Sequence, residues 1–188
     1  MDNRTILLNH TLRLFSARGY DAVGVQEICD AAGVTKPTLY HYFGSKRGLL
    51  EALMGVHFTR LNQDMAQAAE YHGDLPLTLT RTAAAVFSFA NENPAFYRLQ
   101  IALWFAPQDS EGYQVVAALN RAQFNILEDL FNRAAHDHGN MRGRQSAYAA
   151  TFIGTLHTYV GMALNGHARL DAALVEQAVR QFQYGIYS

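Results

Sequence analysis

The sequence is poor in residues that cross-link or break a chain. Cys29 is its one cysteine, so no intrachain disulfide can form. Four prolines in 188 residues leave long stretches free to continue as helix. Long hydrophobic runs are missing too: one of the longest, around Ala83 to Ala90, has Ser88 inside it. It falls far short of the ~20 apolar residues that span a bilayer. The start, Met1-Asp2-Asn3-Arg4, lacks the apolar core that a signal peptide carries behind its basic end. These absences predict a soluble cytoplasmic protein with no membrane partner. No Gly-rich phosphate loop, nucleophile elbow or paired-cysteine zinc pattern occurs. No catalytic residue, cofactor or metal is therefore expected, and the chain is not read as an enzyme. Charge of either sign is sparse, 16% in all and −1 net, which alone speaks against a nucleic-acid partner.

Apolar residues are plentiful. A 49% hydrophobic content with 12% aromatics excludes a disordered chain and supports one domain or a small domain fused to a larger one. The charge is also unevenly spread. Residues 1–48 hold six basic and four acidic side chains, the rest nine and twelve. A modestly basic head on an acidic body suits a protein that meets DNA with its head alone.

Apolar residues recur at helical spacing nearly everywhere, and strand-like alternation is absent, so the fold class is all-α with about nine helices. Ile6, Leu7, His10, Leu14 and Phe15 form the first stripe, closed by Gly19. Val25, Ile28, Cys29 and Ala32 form a short second helix that stops at Gly33. A third follows Thr35 and ends near Phe43-Gly44. Ser45 can cap a long fourth helix through Leu49, Leu50, Leu53, Val56 and Leu61 to about His72-Gly73. Asp74-Leu75-Pro76 starts a fifth, and Asn93-Pro94 separates it from a sixth that Pro107 stops. Residues 111–137, 143–167 and 171–186 complete the set. The seventh carries Val115, Leu119, Ala122, Ile126 and Leu130 on one face, with Phe124, Leu127 and Phe131 beside it. The expected division is a DNA-binding domain at 1–48 and a helical domain at 49–188, joined by continuous helix.

The most informative stretch is Gly33-Val34-Thr35-Lys36-Pro37-Thr38-Leu39-Tyr40-His41-Tyr42-Phe43. Two short helices around a glycine turn form a helix-turn-helix, whose second helix enters the major groove. Leu39 and Phe43, four apart, can face inward. Lys36, Thr38, Tyr40, His41 and Tyr42 then present an ammonium, hydroxyls and an imidazole to phosphates and base edges. Lys46 follows at the start of the next helix, where a cation and free amides can grip a phosphate.

From about Leu7 to Met54 the sequence closely resembles the TetR (tetracycline-repressor-like) family of transcriptional regulators. The resemblance rests on Phe15, Gly19-Tyr20, Glu27-Ile28, Ala31-Ala32-Gly33-Val34, Thr35-Lys36, Thr38-Leu39-Tyr40-His41-Tyr42-Phe43, Ser45-Lys46 and Leu49-Leu50. It implies a homodimer on double-stranded operator DNA and repression relieved by a small-molecule effector. The DNA-binding residues it implies are Thr35, Lys36, Pro37, Thr38, Tyr40, His41, Tyr42 and Lys46, with Tyr42 and Lys46 on phosphates. Three positions depart from the family: Gly24 replaces a Ser or Thr, Cys29 an Ala, and Gly48 a residue that is more often acidic. Gly24 can cap a helix but offers no hydroxyl to a phosphate.

The body matches that family only in length and helix order. Ala147, Gly154, Gly161 and Ala168 recur every seven residues, a small face that lets another helix approach. Ile153, Val160 and Leu164 flank it. The last helix offers Leu174, Val175, Ala178, Phe182 and Ile186. In the family the last two long helices form a four-helix dimer bundle. The expected interface is therefore Ala147, Gly154, Gly161, Leu174, Ala178 and Phe182, unless the small face packs within one subunit. Trp104, Phe124 and His157 are the candidates for binding an apolar or aromatic effector, against the alternative that such aromatics are core. Arg98, Arg121 and Gln123 are candidates for a ligand carboxylate. His136-Asp137-His138 does not suit a metal, because alternate residues on a helix do not share a face. Two other readings stay open, a helical protein-interaction module and an enzyme without a recognisable motif. Steep salt dependence of DNA binding separates them from a regulator.

Overall fold

A helix start leaves amide groups without partners, and a short polar side chain just ahead of it takes one over. In the computed structural model, which describes residues 2–185, Asp2 Oδ1 accepts from the Thr5 amide at 2.7 Å and α1 runs Asn3–Arg18. Gly24 precedes α2 (Val25–Ala32) and offers no such bond. Thr35 Oγ1 lies 3.4 Å from the Thr38 amide at the head of α3 (Lys36–Phe43). Ser45 Oγ accepts from Gly48 N at 2.9 Å where α4 (Lys46–Ala68) begins. Asp74 caps α5 (Leu75–Glu92) through the Leu77 amide at 2.9 Å. Then follow α6 (Pro94–Trp104), α7 (Glu111–Asp137), a single 3₁₀ turn at Gly139–Met141 and α8 (Gln145–Leu164). Asp171 caps α9 (Ala172–Tyr184) through Leu174 N at 3.0 Å. The described residues are thus all-helical, with nine α-helices and no strand.

Details differ from the periodicity. The fourth helix stops at Ala68, not near His72. The chain is drawn aside there by Tyr71, whose hydroxyl donates to Asp137 Oδ2 at 2.8 Å, and by Arg81, which donates to the Glu70 carbonyl at 2.7 Å. Val56 and Ala122 face solvent. The buried residues of α4 lie at Leu49, Leu50, Leu53, Met54, Phe58, Leu61 and Met65, and Val56 falls on the opposite side. In α7 the buried line runs through Gln123, Leu127, Leu130 and Ala134, a face that leaves Ala122 outside. Ile186 lies outside the described residues.

Packing sorts the chain into two units that part within α4, between Thr59 and Arg60. The first unit joins the chain up to Thr59 with Ala95–Leu119. In it α1, α2 and α3 pack on one another over Leu7, Phe15, Ile28 and Leu39, all fully enclosed. Each such side chain contributes roughly 1.5–3 kcal/mol by leaving water. Phe58 of α4 meets Phe96 of α6 edge to face, centroids 5.5 Å apart. The second unit joins Arg60–Pro94 with the chain from Asn120 onward. There α5 packs on both α8 and α9. An aromatic group of Phe131, Phe152 and Phe182 fills its interior, with Phe152 and Phe182 centroids 4.9 Å apart. Among the described residues no helix is long and apolar enough to cross a membrane.

Candidate nucleic-acid interface

The turn between α2 and α3 fixes the recognition helix. Gly33 ends α2 in the left-handed region, φ 66°, and its amide and that of Val34 close onto the Asp30 and Cys29 carbonyls. A side chain there would be strained, which is why a glycine stands at this turn. Val34 then leads into Thr35. Leu39 is the buried anchor of α3, and Phe43 is half-buried with the Arg4 guanidinium 5.8 Å from its ring centroid. With those two turned in, the rest of the helix is turned out. Thr35, Lys36, Pro37, Tyr40, His41 and Tyr42 are exposed, and Thr38 is half-buried. Two large tyrosines on a water-facing helix are unusual for a free surface, and their exposure is 46% at Tyr40 and 41% at Tyr42. The rings of His41 and Tyr42 lie edge to face at 5.4 Å, so they stand as one polar-tipped ridge.

Lys46 opens α4 beside this helix. Its Nζ lies 4.2 Å from the Tyr20 ring centroid and 5.8 Å from that of Phe15. Partial burial between these rings pulls its pKa down, and the carboxylates of Asp21 and Glu111 pull it back up. Its ammonium lies against these aromatic faces in the manner of a cation–π contact. Of the eight residues expected at a duplex, Thr35 caps α3, six lie in that helix and Lys46 opens α4.

Residues 7–53 match the family model for bacterial regulatory proteins, tetR family. Over that segment the chain is similar to the TetR family. It is a helix-turn-helix transcription regulator of that type, and its relatives carry corresponding names. The transcriptional activator FasR of Mycolicibacterium smegmatis is 28% identical over 184 residues, spanning 98% of this chain and 82% of FasR. The repressor KstR of the same organism is 37% identical over 68 residues, 36% of this chain and 33% of KstR. Among solved structures, FadR of Bacillus subtilis, crystallised with stearoyl-CoA, superposes with a TM-score of 0.81 at 18% identity. It covers 97% of this chain and 99% of FadR. PfmR of Thermus thermophilus, a TetR-family regulator, gives 0.76 at 21%, covering 97% and 99%.

The two glycine departures from that family pattern have distinct surroundings. A Cβ at Gly24 would meet nothing within 4 Å, so nothing excludes the usual Ser or Thr. A Cβ at Gly48 would lie 2.1 Å from the Phe43 carbonyl oxygen, so the backbone of α3 excludes any side chain. Cys29 is buried at the α2 core, and burial raises its thiol pKa.

The residues expected at an effector fall in different places. Trp104, half-buried, ends α6 in the first unit and stacks on Phe105 at 6.4 Å. Phe124 and His157 belong to the second unit. Phe124 is half-buried, with the Arg121 guanidinium 5.7 Å from its centroid. Burial lowers the His157 pKa to about 4, so its ring is neutral at neutral pH. Arg98 and Arg121 are exposed, whereas Gln123 is fully buried. Two residues escaped the sequence reading. Asn62 of α4 and Asn120 of α7 each hold a buried Oδ1 that accepts no hydrogen bond among the described residues. Only their occurrence inside otherwise apolar stripes would have singled them out.

Of the residues expected at a dimer interface, Ala147 and Gly154 are exposed, and Gly161, Leu174 and Phe182 are half-buried. Ile153 and Val160 face the core instead. Ala178 is a correction. It is fully enclosed in its own unit, where α9 packs on α5, and has no surface to offer a partner. Phe182 spends part of its ring on Phe131, Tyr148 and Phe152.

Proposed function

We propose that this regulator is a homodimer that binds operator DNA through Thr35–Tyr42 and Lys46 and represses until a small molecule binds the body. Residues 1–48 act as the DNA-binding domain and 49–188 as the effector and dimer domain. The observation that carries the reading is the outward ridge of α3. Lys36, Tyr40, His41 and Tyr42 are exposed around a single buried Leu39, which supports contact with a polar partner rather than a core. Two such helices must stand roughly 34–36 Å apart to reach successive major grooves. The exposed small face of α8 at Ala147 and Gly154 supports pairing of two copies. An effector that favours one spacing of the heads shifts operator affinity. Trp104, Phe124 and His157 remain the proposed ligand contacts, with Asn62 and Asn120 as acceptors for a polar group of an otherwise apolar ligand. The Bacillus subtilis neighbour with stearoyl-CoA makes a long-chain acyl-CoA the first ligand to try.

The test is binding to the DNA upstream of the protein's own coding region, with Tyr42→Ala and Lys46→Ala alongside. Binding that falls steeply with salt and is lost in both variants supports the reading. Failure to bind this DNA, and failure to recover any duplex from a random pool, would remove it. Light scattering at micromolar concentration tests the dimer, and release from DNA by an acyl-CoA tests the effector.

A further inference from the structure

Lys46 is held by a residue far away in sequence. Tyr20 follows α1, and its ring packs edge-on against Phe15 at 5.2 Å. The same ring is the platform on which the Lys46 ammonium rests, 4.2 Å from its centroid. The hydroxyl at the far end of the ring donates to Glu111 Oε2 at 2.7 Å. Glu111 is the first residue of α7, and the whole arrangement lies within the first unit. The neighbouring turn adds a second tie, with Arg47 Nη1 donating to Gln114 Oε1 at 3.0 Å.

A phosphate contact needs its cation in one place. A lysine loses much rotamer freedom when it is fixed, and a preformed position lowers that cost on binding. The Tyr20 ring supplies the position, and Glu111 keeps the side chain from swinging away by holding its hydroxyl. The Glu111 carboxylate also adds to the charge that keeps Lys46 protonated. We propose that Glu111 is a positioning residue for the DNA contact of Lys46, acting through the Tyr20 ring. The proposal rests on the reading of Lys46 as a phosphate contact. A purely structural role is the competing account, since a carboxylate in the first turn of a helix is favoured by the helix dipole alone.

The two accounts separate in a mutant cycle on the full chain. The probe is a duplex that the wild-type protein selects from a random-sequence pool. Affinity and its salt slope are measured for Glu111→Ala, Glu111→Gln and Tyr20→Phe, each with Lys46 intact and with Lys46→Gln. Lys46→Gln alone lowers the salt slope by about one. Glu111→Ala and Tyr20→Phe weaken binding by roughly threefold to tenfold, the worth of one lost hydrogen bond. Glu111→Gln still accepts from the Tyr20 hydroxyl and carries no charge to repel the duplex, so it binds at least as well as wild type. With Lys46→Gln in place, Glu111→Ala no longer weakens binding. An inert Glu111→Ala beside a normal Lys46→Gln loss overturns the positioning role and leaves the phosphate contact standing. So does a Glu111→Ala loss that is equal in both backgrounds. A wild-type salt slope in Lys46→Gln overturns the phosphate contact itself.

Discussion

The side-chain amide nitrogen of Gln123 on α7 lies 3.7 Å from the sulfur of Met65 on α4, both fully buried. Further on, Tyr71 reaches Asp137, so the two segments run in the same direction. Asn62 lies one turn before Met65, and Asn120 one turn before Gln123. Each has a buried Oδ1 that accepts nothing among the described residues. An unmet buried acceptor costs about 1–3 kcal/mol. Asn62→Leu and Asn120→Leu are expected to raise the unfolding free energy by about 1 kcal/mol and to abolish any response to the effector. Urea unfolding measures the first, and ligand release from DNA the second. A loss of stability in both variants would show that these amides serve the fold.

Gly48→Ala is expected to destabilise the chain although alanine is the better helix former by about 1 kcal/mol. The new methyl would stand 2.1 Å from the Phe43 carbonyl oxygen, and relief requires moving α3. Thermal unfolding decides it, and a higher midpoint in the variant would contradict the steric reading. DNA binding should weaken as well, since Tyr42 sits one residue before Phe43.

At Gly24 the same reasoning has the opposite sign. The position has open space and no side-chain cap. Gly24→Ser adds a cap worth a few tenths of a kcal/mol. It also restores a hydroxyl at the start of α2. Operator affinity is expected to rise by about twofold to fivefold, within the worth of one neutral hydrogen bond. Unchanged affinity in a competition assay would show that this helix end does not face the duplex.

His157 predicts a pH dependence of stability. Burial holds its pKa at about 4 in the folded chain, below the ordinary value of 6.5. Between these values the unfolded chain takes up a proton that the folded chain refuses. The contribution to stability is therefore full above pH 6.5 and falls as pH drops toward 4. Its slope approaches about 1.4 kcal/mol per pH unit. Chemical denaturation across this range should show the decline, and His157→Gln should flatten it. Equal slopes in the two proteins would place the titration elsewhere.

Much of the helix layout was legible because its signals are local. Thr35, Ser45, Asp74 and Asp171 cap helices through bonds to residues three positions on, and such bonds depend on the neighbouring sequence alone. Gly33 and the spacing of Leu39 and Phe43 likewise place the polar ridge of α3 from within one short segment. The body was less legible. Aromatic and small residues at helical spacing show that a face is apolar, but not which neighbour covers it. Ala178 lies on the apolar stripe of the last helix and is enclosed by its own chain.

The sequence by itself determined the helices, their caps, the helix-turn-helix and the residues that α3 turns outward, because each follows from contacts within a few positions. Tertiary structure alone decided that Gly48 is required by the Phe43 carbonyl, that Asn62 and Asn120 hold unmet oxygens inside, and that Tyr20 meets Glu111. These relations join residues whose separation along the chain bears no relation to their distance in space, and close packing, which has no sequence period, sets them.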